Sequence, residues 1–197
     1  MSEGEQDLEL LNAWYAGSQA AGAALYRRHE ATLRRFFASK VPQQDIDELV
    51  QQTWMAMTSN QRRAADAQTR PPTAIQSVRA YIFGVARHVV FAFYRKAGQK
   101  ADFDPDLDNI ASIAPSVSQQ LSLRRNIQRL ELAMQSLPVD FQLIAEAFYV
   151  EEFTGPELAE MFNLPEGTVR SRLKRAKATI DELMSRWDIR FGKSAAE

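Results

Sequence analysis

The chain has 197 residues, 45% of them apolar, with 24 basic and 25 acidic side chains, a formal net charge of −1 and no cysteine. That apolar fraction excludes a disordered chain, and the missing thiols exclude disulfides and thiolate metal sites. The two histidines, His29 and His88, lie far apart in sequence, and no motif gathers a nucleophile, a base and an orienting acid. The expectation is therefore a protein without metal, cofactor or enzymatic chemistry. No apolar run approaches the roughly 20 residues that span a bilayer, and the acidic opening MSEGEQDLELL lacks a basic n-region. A cytoplasmic protein without membrane insertion is expected.

Strand signals are nearly absent, and Gly and Pro separate long periodic segments, so the expected fold class is all-α. Residues 1–19 form an acidic extension to which no element is assigned. An N-terminal domain is expected over 20–98. In it, Leu25, His29, Leu33, Phe36 and Phe37 recur at helical spacing. The stretch DIDELVQQTWMAM places Ile46, Leu49, Val50, Thr53, Trp54 and Met57 on one buried face. Asp47, Glu48, Gln51 and Met55 point the other way, to solvent or to a partner. Polar residues 60–77, with a Pro-Pro break, read as a loop. VRAYIFGVARHVVFAFYRK then gives an apolar helix along Val78, Ile82, Val85, Val89 and Phe93, and its basic end complements the helix dipole.

Residues 99–121 carry Asp, Pro and small side chains without helical period, and read as a flexible acidic linker between two small helical domains. The second domain is expected over 122–186, followed by a tail at 187–197. Leu123, Ile127, Leu130, Met134 and Leu137 form one stripe, and Phe141, Ile144, Ala145 and Phe148 another. Pro138 suits the opening of a helix. Thr154 and Glu157 have capping-box spacing, and Asn163 suits a left-handed helix end.

After that helix end comes PEGTVRSRLKRAK, with five basic residues in thirteen. Two short helices joined by a tight turn make a helix-turn-helix, whose second helix enters the DNA major groove. Val169, Leu173, Ala176 and Ile180 share the packing face. Gly167, Ser171, Lys174, Arg175 and Ala178 lie opposite, with Arg170, Lys174 and Lys177 on one flank and Thr168 and Arg172 on the other. A small centre with basic rims suits base edges in the middle and phosphates at the sides. The candidate duplex-reading set is Thr168, Arg170, Ser171, Arg172, Lys174, Arg175 and Lys177.

Residues 137–183, and the run GTV-x-SRL-x-RA from Gly167 to Ala176 above all, resemble the promoter-reading C-terminal domain of extracytoplasmic-function (ECF) sigma factors, the group IV members of the sigma-70 family. DIDELVQQTWMAM resembles the helix with which such factors bind core RNA polymerase, and AYIFGVARHVVFAFYRK the helix that melts and reads the minus-ten element. Together the likeness covers roughly residues 20–185. It implies core polymerase, through the clamp helices of its beta-prime subunit, and promoter DNA as partners, with an anti-sigma factor or a Ser/Thr kinase as a controlling partner. Carried over residue by residue, the polymerase set is Asp45, Asp47, Glu48, Gln51, Gln52 and Met55. The melted-strand set is Arg62, Arg63, Arg79, Tyr81, Arg87, His88 and Arg95. The C-terminal helix would read the minus-thirty-five element.

This sequence departs from the family pattern in the inverted acidic pair Asp47-Glu48, and at Gln52, Tyr81, His88 and Ala92, where glutamate, tryptophan, asparagine and aspartate are usual. Some members are switched on by threonine phosphorylation near the polymerase-binding helix, which makes Thr53 a candidate, since phosphate restores negative charge. Its apolar face favours a packed core threonine instead. Two other readings stay open: a helix-turn-helix regulator acting without polymerase, and a sigma-like interaction protein.

Overall fold

The computed structural model describes residues 2–66, 75–96 and 122–191, with side-chain surroundings for 2–59, 75–96 and 129–186. Among the described residues there are α-helices and one 3-10 turn, and no strand. The helices are α1 (Glu3–Tyr15), α2 (Gln19–Ala38), α3 (Ile46–Asp66), α4 (Val78–Lys96), α5 (Ser122–Gln135), α6 (Val139–Tyr149), α7 (Gly155–Phe162) and α8 (Glu166–Phe191), with the 3-10 turn Gln43–Asp45 ahead of α3. The chain divides into two compact units: Met1–Asp102 with Ala159–Asn163, and Phe103–Leu158 with Leu164–Glu197. The acidic linker expected at 99–121 lies outside the described residues.

The first unit begins with an element that composition concealed. Residues 3–15 are helix α1, started by a capping box in which Ser2 Oγ accepts from Glu5 N–H at 3.3 Å and Glu5 Oε2 accepts from Ser2 N–H at 2.6 Å. Its inner face buries Asp7, Leu11 and Trp14. Asp7 Oδ1 accepts from Arg28 Nη1 at 2.5 Å, and Asp7 Oδ2 meets His29 Nε2 at 2.8 Å, so a buried carboxylate joins α1 to α2. The turn between these helices passes through Gly17 at φ +105°, a conformation that side chains disfavour. Gly22 on α2 lets the Trp14 indole lie against the helix backbone. A Cβ there would stand 2.7 Å from the ring.

Helices α2, α3 and α4 close the core as their apolar periods require. Leu25, Leu33, Phe37, Val50, Met57 and Ile82 are buried to 2% exposure or less. Trp54 is buried against Trp14 and Tyr26, with ring centroids 6.1 and 5.4 Å apart. α2 ends where the buried Lys40 donates to Phe36 O at 2.6 Å, supplying positive charge to the helix C-terminus. Tyr94 of α4 donates to Lys40 O at 2.6 Å and ties the two ends together. α3 continues to Asp66, so residues 60–66 are helical and not part of a loop.

In the second unit α5, α6 and α8 surround Ala133, Met134, Leu137, Ala145, Ala176 and Ile180, with Phe141, Leu183 and Met184 packed on that cluster. Two positions expected in the core are open instead: Leu130 is 43% and Phe148 39% exposed. α8 runs on to Phe191, so 187–191 are helix and not tail.

Candidate functional site

Two surfaces carry chemistry, one in each unit. On the first, α3 turns Asp47, Glu48, Gln51, Gln52 and Met55 outward, with Asp45 half-buried at the preceding turn. Met55 is 61% exposed, a large apolar side chain held in solvent. Glu48 Oε1 accepts from Gln52 Nε2 at 2.8 Å. Asp47 is gripped by Arg34 Nη1 of α2, whose Nε also donates to Glu30 Oε1 at 3.1 Å. Between α2 and α3 lies a cleft of about 610 Å³ walled by Tyr26, Arg34, Asp47, Gln51, Trp54 and Met55. The indole Nε1 of Trp54 is buried without a hydrogen-bond partner among the described residues.

Tyr26 and Arg34 were missed by sequence reasoning, which assigned the surface to α3 alone. The only available signal was Arg34 off the apolar face of its helix. Thr53, by contrast, is fully buried, and its hydroxyl donates to Leu49 O at 2.9 Å. Thr53 is thus packed in the core of the first unit, as its place on the apolar face of α3 suggested.

The candidate melted-strand residues separate. Tyr81, His88 and Arg95 recur every seven residues and so stay on one side of α4. Tyr81 is half-buried, and its hydroxyl meets that of Tyr15 at 3.1 Å. Burial and then that bond push the Tyr15 hydroxyl above the ordinary tyrosine range. His88 and Arg95 are exposed, and Arg79 is half-buried. Partial burial, followed by the charges of Arg87 and Arg95, lowers the pKa of His88 below the ordinary histidine value, favouring the neutral ring. Arg87 is buried, with its guanidinium 5.0 Å from the Phe91 ring centre. The side chains of Arg62 and Arg63 lie outside the described residues.

In the second unit, Thr154 and Glu157 make the capping box at the start of α7. Thr154 N–H donates to Glu157 Oε2 at 2.9 Å, and Glu157 N–H to Thr154 Oγ1 at 3.4 Å. Asn163, which is grouped with the first unit, takes φ 51°, the left-handed conformation that ends α7 ahead of α8. Val169, Ala176 and Ile180 of α8 are buried and Leu173 half-buried, as the packing face requires.

The basic residues of α8 divide by partner. Arg170, Ser171 and Lys174 are exposed, Thr168 is half-buried, and Arg170 and Lys174 have no ion-pair partner among the described residues. Lys177 pairs with Asp181 at 2.5 Å within the helix, which holds its ammonium above the ordinary lysine pKa. Arg175 lies 5.4 Å from the Phe141 ring centre. Arg172, expected on an outer flank, is instead turned inward, with Nη1 3.9 Å from Asp140 Oδ2 of α6 and the side chain only 11% exposed. Rotation on a helix predicts which residues share a side, but not which side another helix covers.

Among the described residues no group of three or more His, Asp or Glu could hold a metal ion, and no helix is long and apolar enough to cross a membrane.

Residues 127–180 match the family model described as sigma-70, region 4. The chain is 28% identical over 179 residues to the ECF RNA polymerase sigma factor SigM of Mycobacterium tuberculosis, covering 90% of this chain and 84% of SigM. It is 23% identical over 154 residues to the RNA polymerase sigma factor HrpL of Pseudomonas syringae pv. syringae, covering 76% of this chain and 79% of HrpL. In fold it is similar to CnrH, solved in complex with the cytosolic domain of CnrY. The TM-score is 0.64 at 21% identity, over 92% of this chain and 98% of that one.

Proposed function

We propose that this chain, an RNA polymerase sigma factor of the extracytoplasmic-function group, meets polymerase through the α2–α3 surface and promoter DNA through α4 and α8. As a sigma factor it binds core RNA polymerase and directs it to specific promoters. The chemistry of RNA synthesis stays with the polymerase.

The polymerase surface comprises Asp47, Glu48, Gln51, Gln52 and Met55, edged by Asp45 and extended by Arg34 and Tyr26 across the cleft. An exposed methionine ringed by carboxylates and amides fits a helical partner with an apolar stripe and basic flanks, such as the clamp helices of the beta-prime subunit. Tyr81, His88 and Arg95 line the side of α4 that meets the melted minus-ten strand, where aromatic faces stack on unpaired bases and arginine meets phosphate. Arg79, Arg62 and Arg63 add positive charge near that strand. Arg87 is left out of the contact set because its guanidinium is buried.

On α8, Arg170 and Lys174 meet phosphates beside the minus-thirty-five duplex, Ser171 and Thr168 approach base edges, and Arg175 and Lys177 supply flanking charge. The observation that carries this reading is the outward stripe Arg170, Ser171 and Lys174 on a helix entered from a capped helix and a left-handed turn. The likeness to CnrH, which was solved with the cytosolic domain of a second protein, supports control by a protein that covers the sigma surfaces, an anti-sigma factor, ahead of control by a kinase. The site of action is then the cytoplasm.

The test is reconstitution. Purified chain with core polymerase is expected to give discrete transcripts from fragments of its own genome. Absence of transcripts together with absence of core binding would refute the assignment. DNA binding without core binding would point to a regulator acting alone.

A further inference from the structure

Arg172 and Arg175 stand three residues apart on α8 and therefore share a side. Both turn toward the first turn of α6, Arg172 to the Asp140 carboxylate and Arg175 to the Phe141 ring. The side chains of Arg172 and Asp140 are 11% and 17% exposed. A guanidinium so enclosed reaches phosphate only by moving away from Asp140, and separating a partly buried ion pair is costly.

Ala145, Ala176 and Ile180 belong to one apolar cluster, and small apolar side chains specify rotation about a helix axis less sharply than a directional ion pair. A partly buried ion pair is the kind of contact that fixes such a register. Arg170 and Lys174 each stand two residues from Arg172, about 200° around the helix axis. The pair that faces α6 thus also decides where Ser171, exposed beside Arg170 and Lys174, points.

We propose that Asp140 and Arg172 form a positioning pair: it sets the rotation of α8 on α6 and thereby aims the short Ser171 side chain at base edges, while the long Arg170 and Lys174 side chains reach phosphate at either rotation and Arg172 itself touches none. This rests on the reading of α8 as the duplex-binding helix.

The experiment uses the full chain bound to core polymerase. A library of random duplexes is selected on the wild-type complex, and affinity for the selected duplex and for a scrambled one is then measured across a salt series. Asp140→Asn and Arg172→Gln are each expected to weaken specific binding roughly tenfold, about 1.4 kcal/mol. Affinity for the scrambled duplex and the salt slope should stay unchanged, and the double variant should be no weaker than either single one. Asp140→Glu, which keeps the pair, should retain specificity and covers the case in which a neutral variant does not fold.

The sign of the Asp140→Asn effect is decisive. Removing a negative charge near DNA tightens binding if Arg172 is a phosphate contact, and weakens specific binding if it is a positioning residue. Tighter binding by Asp140→Asn overturns the proposal, as does a slope lowered by about 0.9 in Arg172→Gln, the value of one lost phosphate contact. So does loss of specificity in Asp140→Glu as severe as in Asp140→Asn. Arg170→Ala separates this from failure of the parent reading: if α8 does not read DNA, Arg170→Ala leaves binding intact.

Discussion

The Asp7 carboxylate meets the His29 imidazole at 2.8 Å, both side chains are buried, and the same carboxylate accepts from Arg28. Burial, the largest influence, lowers the pKa of His29 from its ordinary 6.5, with Arg28 and Arg79 adding to the shift and Asp7 opposing it. The folded state therefore resists a proton that the unfolded chain accepts. Stability from this site is full above about pH 6.5 and is lost as pH falls below that value toward the folded pKa. Urea midpoints should drop between pH 7.5 and 5.5, and His29→Gln should flatten that dependence. An equal pH dependence in the variant would contradict the assignment.

Gly22 is a contact residue by virtue of having no side chain. A Cβ would stand 2.7 Å from Trp14 Cδ1 and Nε1, and the indole is itself packed against Trp54. Overpacking of this kind costs about 1–3 kcal/mol, while alanine returns up to about 1 kcal/mol of helix propensity. Gly22→Ala should thus lose about 1 kcal/mol net in chemical denaturation. A stabilised variant would show that α1 yields freely.

Met55 and Thr53 are near neighbours in sequence with opposite environments. Met55 is 61% exposed, so Met55→Ala should change stability by less than about 0.5 kcal/mol. Core polymerase binding should nonetheless weaken several-fold, as should binding by Asp47→Ala with Glu48→Ala. Unchanged affinity by titration with core enzyme would remove this surface from the interface. Thr53→Glu forces a charge into a fully buried site and should unfold the N-terminal unit instead of mimicking activation.

Arg170 and Lys174 are the exposed cations of α8 without a partner among the described residues. Each should contribute one phosphate contact. Alanine at either position is expected to lower the slope of log affinity against log salt by about 0.9. Lys177→Ala should lower it less, because Asp181 already compensates that charge. Equal slopes for all three variants would mean that the intrahelical pair opens freely on DNA.

Helices α2, α3 and α4 were legible because their apolar residues repeat at the helical period. The start of α7 was legible because Thr154 and Glu157 satisfy orphan amides three residues apart. Helix α1 was not, although Ser2 and Glu5 have the same spacing and Asp7, Leu11 and Trp14 share a face. Its composition is acidic, and one of its buried positions is a carboxylate whose partners, Arg28 and His29, come from 21 and 22 residues away. Leu130 and Phe148 misled in the opposite direction, since an apolar period does not say where the covering helices end.

By itself the sequence determined the helices, their caps and the basic character of α8, because backbone hydrogen bonds and side-chain neighbours three and four residues apart are local. The tertiary structure decided which charges were free to act. Arg172 and Arg34 each found a carboxylate on another helix, while Arg170 and Lys174 found none among the described residues. A charge becomes a scaffold or an interface according to what the fold places opposite it, and ion pairs between helices do not exist until those helices pack.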